Sequence, residues 1–120
     1  MKQITFTVKV AGRNPNGGAP IPAPVEWKGY QSETPGLVVH RRVERGCIPG
    51  DVWVITHLGS GFTIPYFCLY TRKAALLAAK ELGEVTDWGM SMKHIESLYL
   101  TARIKLSDAV FAISKRYKND

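Results

Sequence analysis

The chain has 120 residues, of which 45% are hydrophobic and 22% charged, with two cysteines; this supports one compact domain and excludes a large cofactor-binding enzyme. Sixteen Lys and Arg against ten Asp and Glu leave a net charge of +6, carried as +3 in each half. That excludes a detached basic tail, so any basic patch must be assembled by folding.

No apolar run reaches the roughly 18 residues of a membrane span, and no basic-then-apolar leader opens the chain. The expectation is a soluble, cytoplasmic protein with free thiols at Cys47 and Cys68.

Residues 3–10, Gln-Ile-Thr-Phe-Thr-Val-Lys-Val, alternate apolar and polar side chains at period two, the pattern of a strand with one buried face. Residues 12–36 then hold Pro15, Pro20, Pro22, Pro24 and Pro35 among several glycines, a density of breakers that predicts a long loop. Trp27 and Tyr30 interrupt it. Such aromatics either pin a loop to the core or face a ligand or protein partner.

From Leu37 to Tyr70 the text predicts a three-stranded meander: residues 37–43, residues 52–58, and a return over 62–70 after the Gly59-Ser60-Gly61 turn. Pro65 marks an edge or bulge in that return. Thr71 is placed to N-cap a helix over 72–82, with Gly83 ending it in a left-handed conformation. Apolar residues at steps of three and four from Ile95 to Tyr117 predict one long helix or two shorter ones over 91–117, with Ser107-Asp108 as the alternative cap. The resulting class is α+β in a single domain: an antiparallel sheet of about four strands backed by two C-terminal helices.

Four residues offer soft metal ligands: His40, Cys47, His57 and Cys68. Their separations lack the short paired spacing of zinc sites, so no metal is expected. A Cys/His-dependent enzyme is an alternative, with Cys47 beside Arg45 the better nucleophile and Cys68 flanked by Phe67 and Leu69. Gly12 to Gly18 lacks the Lys-Ser/Thr of a phosphate loop. No cofactor is expected, and the leading reading is non-enzymatic.

The remaining constellation is basic and aromatic. Arg41, Arg42 and Arg45 run along and out of one predicted strand, Trp53 and His57 share a face of the next, and Arg72 and Lys73 open the first helix. His40 and Arg42 lie on one side with Val38; if that side coincides with the Trp53 side, the outer sheet face presents cations around an indole. Arginine grips phosphates and reads base edges, and an aromatic ring stacks on a base.

Residues 37–82, with Arg41, Arg42, Trp53 and the helix entry Thr71-x-x-Ala74-Ala75, resemble in layout the AP2-type and integrase N-terminal DNA-binding domains, with Arg72-Lys73 where those helices often carry an acidic pair. The resemblance implies a three-stranded sheet on one helix, reading DNA through Arg and Trp. The run from Trp53 through Trp88 is also similar in style to small accessory proteins of phages and mobile elements.

The expectation is therefore an accessory or regulatory factor that contacts nucleic acid through Arg41, Arg42, Arg45, Trp53, His57, Arg72 and Lys73. The alternative is an inhibitor or adaptor of phage type, for counter-defence or host takeover, that binds a host protein through Trp27 and Tyr30. The apolar stripe of the last helix packs on its own sheet or across a homodimer axis.

Overall fold

A computed structural model describes residues 2–12, 16–18, 21–44, 48–95 and 106–117. It has four strands, β1 (Gln3–Gly12), β2 (Ile21–Gln31), β3 (Leu37–Glu44) and β4 (Ile48–His57), then helices α1 (Arg72–Leu82) and α2 (Leu106–Tyr117). The strands form one antiparallel sheet in chain order. The α+β class is as expected; the identity of one strand is not.

The segment predicted as a loop over 12–36 contains β2, which pairs with β1 through ten residue pairs from Gln3–Tyr30 to Gly12–Ile21. Its prolines are compatible with this because of register. The Gln31 N–H donates to the Lys2 carbonyl, so by antiparallel alternation the odd residues of β2 take the bonded positions and Pro22 and Pro24 fall between them. Neither missing N–H is asked for by β1; both lie on the side away from it.

That other side is nearly free of ladder bonds. Strand β2 pairs with β3 only at Tyr30–Val39 and Gln31–Val38. Glycine at position 29 allows this close crossing, since a Cβ there would stand 2.7 Å from the Val39 carbonyl oxygen and 3.0 Å from both His40 and Phe6.

The predicted return strand over 62–70 is replaced by two isolated bridges to β4, Thr56–Thr63 and Trp53–Leu69. Pro65 and the positive φ of Tyr66 lie between them and interrupt the ladder. This segment also draws β1 across: the Lys9 N–H donates to the Gly61 carbonyl at 2.7 Å. The sheet is therefore curled, with its first strand touching the chain just beyond its last.

Alternation along the strands splits the apolar residues between two cores. Phe6, Val8 and Val38 lie inside the curl, with Ile4, Val25 and Trp27 beside them. Leu37, Val39 and Ile55 face the helices and meet Ala75, Ala78, Ala79 and Leu82 of α1 and Val110 and Ile113 of α2. The alanine stripe lets α1 sit close on the sheet.

Thr71 caps α1 as expected, accepting from the Ala74 N–H at 3.1 Å. Gly83 differs from expectation: it is right-handed (φ −62°). Its lack of a side chain serves packing, because a Cβ would collide with the Thr34 side chain, whose hydroxyl donates to the Ala79 carbonyl at 2.8 Å.

The two helices are joined at their ends through Glu81, which pairs with Arg116 and accepts from the Tyr117 hydroxyl. Residues 92–95 form a helical turn capped by Ser91. Whether that turn continues into α2 falls on residues 96–105, outside the described ones. No helix among the described residues is long and apolar enough to cross a membrane.

The crossing at Gly29 gives a direct stability test. Gly29→Ala forces a methyl into backbone and is expected to cost about 1–3 kcal/mol, lowering the urea midpoint, whereas Gly17→Ala, on an open turn with no neighbour within 4 Å but φ +71°, costs about 1 kcal/mol for its conformation alone. Equal midpoints for Gly29→Ala and the wild type would contradict the packing described.

Candidate nucleic-acid interface

Where β2 leaves β3, the chain opens a groove of about 490 Å³ on the helix-side face of the sheet, lined among others by Lys28, Tyr30, Arg41 and Trp53. The register explains which residues meet there. Arg41 is the cross-strand partner of Trp53, so Arg41 shares the tryptophan's face and Arg42 the opposite one. The expected coincidence of the Arg42 side with the Trp53 side is thus displaced by one residue, and Arg41 takes the place beside the indole.

The Arg41 guanidinium lies 5.5 Å from the Trp53 ring centre and donates to the Gly50 carbonyl at 3.4 Å. Its main-chain carbonyl, left without a β2 partner, accepts the Trp27 indole N–H at 3.1 Å. On the other side of the groove the Tyr30 and Trp53 rings are 6.2 Å apart at 45°. Arg72, at the start of α1, covers Tyr30 with its guanidinium 4.4 Å from the ring centre. The four planar groups form one row: Arg72, Tyr30, Trp53, Arg41.

Cation–π contacts of this kind contribute about 0.5–1 kcal/mol each at exposed sites. They hold the two guanidiniums against the rings. Arg41, Arg72 and Lys28 are exposed, while Tyr30 and Trp53 are half-buried. Charged heads at the rim and ring faces recessed below them suit an anionic, flat ligand. Glu26, Gln3 and Thr5 supply hydrogen-bonding groups on the β1–β2 wall.

Other residues singled out from the sequence lie elsewhere. Lys73 is exposed at the α1 start and lines a neighbouring groove with Arg72 and Lys80. Arg42 lines a groove on the opposite face, and Arg45 lies outside the described residues. His57 is fully buried: two carbonyls, of Trp88 at 2.8 Å and Met90 at 2.9 Å, accept from its Nε2, and its Nδ1 accepts the Ser60 N–H at 3.2 Å. It fastens the chain after α1 to the sheet and does not reach the groove. Trp27 and Tyr30, expected at a protein interface, line the same groove as Lys28, Arg41 and Trp53.

Lys28 was missing from the expected set. The alternation Glu26, Lys28, Tyr30 against Val25, Trp27, Gly29 carried its signal, masked by the neighbouring prolines.

The histidine and cysteine candidates are also resolved in part. Cys47 lies outside the described residues. Cys68 is exposed, close to Tyr66 and Phe111, whose rings meet edge-on at 5.2 Å. His40 lines the groove on the other side of Cys68, but both its ring nitrogens are engaged. Because a carbonyl only accepts, Nδ1 donates to the Arg41 carbonyl at 2.7 Å; Nε2 then accepts from Thr56, which accepts from Thr63. Neither nitrogen is left to act as a base for a thiol. Among the described residues, no three of His, Cys, Asp and Glu gather where they could hold a metal ion.

Comparison of the chain with protein-family models, curated proteins and solved structures finds no match.

Burial holds the His40 pKa down at about 4, against the raising effect of its bond to the Arg41 carbonyl. The unfolded chain therefore takes up this proton first. Stability is unaffected above about pH 6.5 and falls as the pH drops toward 4, by about 3 kcal/mol for a depression of this size. Urea unfolding at pH 7, 5.5 and 4 should show His40→Gln losing less stability on acidification than the wild type. Parallel profiles for the two proteins would contradict the assignment.

Proposed function

We propose that the protein is a non-enzymatic nucleic-acid-binding factor whose contact surface is the groove between β2 and the β3–β4 pair. The observation that carries this reading is the continuous row of Arg72, Tyr30, Trp53 and Arg41 on one face of the sheet. Guanidiniums in that setting bind phosphates, and rings recessed between them stack with bases. Lys28 and Lys73 extend the positive field along the groove and around the start of α1, and the net charge of +6 favours the approach of a polyanion. An accessory or regulatory role, of the kind found in phages and mobile elements, is part of this proposal.

Fluorescence anisotropy with a labelled oligonucleotide tests the reading. If the four cations neutralise four phosphates, log K should fall against log salt with a slope of about −3 for a single strand. Arg41→Ala and Arg72→Ala should each weaken binding several-fold and make the slope shallower by about 0.7, while urea midpoints change little because both side chains are exposed. Absent or salt-insensitive binding at low ionic strength would overturn the proposal. Nuclease-resistant recovery of one stoichiometric protein partner, lost with the same two substitutions, would assign the groove to a protein ligand instead.

A further inference from the structure

Resting on the nucleic-acid reading of the same groove, we infer that its ligand is an unpaired strand, whose bases enter between Arg72, Tyr30, Trp53 and Arg41. Tyr30, Trp53 and Arg41 line a concavity of about 490 Å³, within the ~300–1,000 Å³ range of clefts that enclose small molecules, and Arg72 reaches Tyr30 from the neighbouring groove. Duplex recognition through the major groove requires a projecting helix or ribbon that enters a channel about 12 Å wide. Here the aromatic faces are recessed, and the exposed cations form the rim.

Bases stacked in a duplex repeat about every 3.4 Å along each strand and cover one another's faces. Tyr30 and Trp53 are 6.2 Å apart and tilted by 45°, so two bases set on these two rings cannot remain stacked on each other in helical register. Each ring can receive a base only from a strand already splayed. The guanidiniums at both ends, 4.4 Å from Tyr30 and 5.5 Å from Trp53, are themselves planar stacking surfaces. When a base displaces Arg72 from the Tyr30 face, the freed guanidinium is placed to bind the adjoining phosphate.

The groove's wall is the unladdered side of β2, which invites addition of a peptide strand. Pro22 and Pro24 interrupt that side just beyond the Glu26–Tyr30 stretch that lines the groove, and the Arg41 carbonyl opposite is already occupied by the Trp27 indole and the His40 ring. A peptide adding to β2 would lack the regular main-chain ladder on which such binding relies. A nucleic-acid strand, held by phosphate contacts and ring faces, requires no ladder.

The experiment compares three probes at one ionic strength: a labelled single-stranded DNA of about twelve nucleotides, the same sequence as RNA, and the DNA annealed to its complement. Either single strand should bind at least ten-fold more tightly than the duplex, and the two single-stranded arms identify the sugar preferred. Tyr30→Leu should weaken single-strand binding about five-fold or more, in keeping with about 1–3 kcal/mol per stacked base, and leave duplex binding unchanged; Tyr30→Phe should retain wild-type affinity. A duplex bound as tightly as either single strand, with Tyr30→Leu without effect, would overturn the inference while leaving the nucleic-acid reading intact. Failure of all three probes to bind would overturn both.

Discussion

Strand β2 is bonded to β1 along ten residue pairs and to β3 along two, and this unequal pairing is the constraint on which the candidate site depends. Had β2 continued beside β3, the gap between the strands that the groove occupies would have been closed by paired backbone. Three features of the sequence hold the strands apart or together where required. Pro22 and Pro24 keep their missing N–H groups off the β1 ladder; Gly29 permits the close crossing at His40; and the Trp27 indole takes the Arg41 carbonyl that the missing ladder would have used. That carbonyl also accepts from the His40 Nδ1–H at 2.7 Å, so two side chains take the place of a β2 donor there.

The opposite end of the sheet is fixed by different means. Trp88, 1% exposed, donates to the Leu82 carbonyl and is packed near His57, which holds the Trp88 and Met90 carbonyls on its Nε2. The turn before β3 passes beneath it: Gly36, with φ +93°, leaves no room for a Cβ against the Trp88 carbonyl. This assembly anchors α1, and the position of α1 places Arg72 over Tyr30. The groove is consequently built from elements secured elsewhere, which fixes the backbone that carries its rings and cations.

Much of the architecture was legible in the sequence because its signals were local. The period-two alternation of residues 4–10, the Thr71 cap and the alanine stripe of α1 each specify an element without reference to distant residues. The strand over 21–31 was hidden because proline density is normally a loop signal, and only the register against β1 shows that both prolines fall on non-bonded positions. The return over 62–70 differs for the converse reason: its apolar content reads as a strand, but Pro65 and Tyr66 interrupt the ladder. For the site, Arg41, Trp53 and Arg72 were recognisable from residue type. Their grouping with Tyr30 and Lys28, and the separation of Arg42 and His57 from them, depend on one residue of register and on burial.

The three tryptophans permit the most direct test of the central claim, because each occupies a different environment: Trp53 in the row of planar groups, Trp27 at the divergence of β2 from β3, and Trp88 in the core between sheet and helices. Indole N–H resonances in ¹H–¹⁵N spectra should be followed while a single-stranded oligonucleotide is titrated into the protein. The account predicts that the Trp53 and Trp27 signals shift together and saturably while Trp88 remains in place. Binding that moves none of the three, or Trp88 alone, would contradict it.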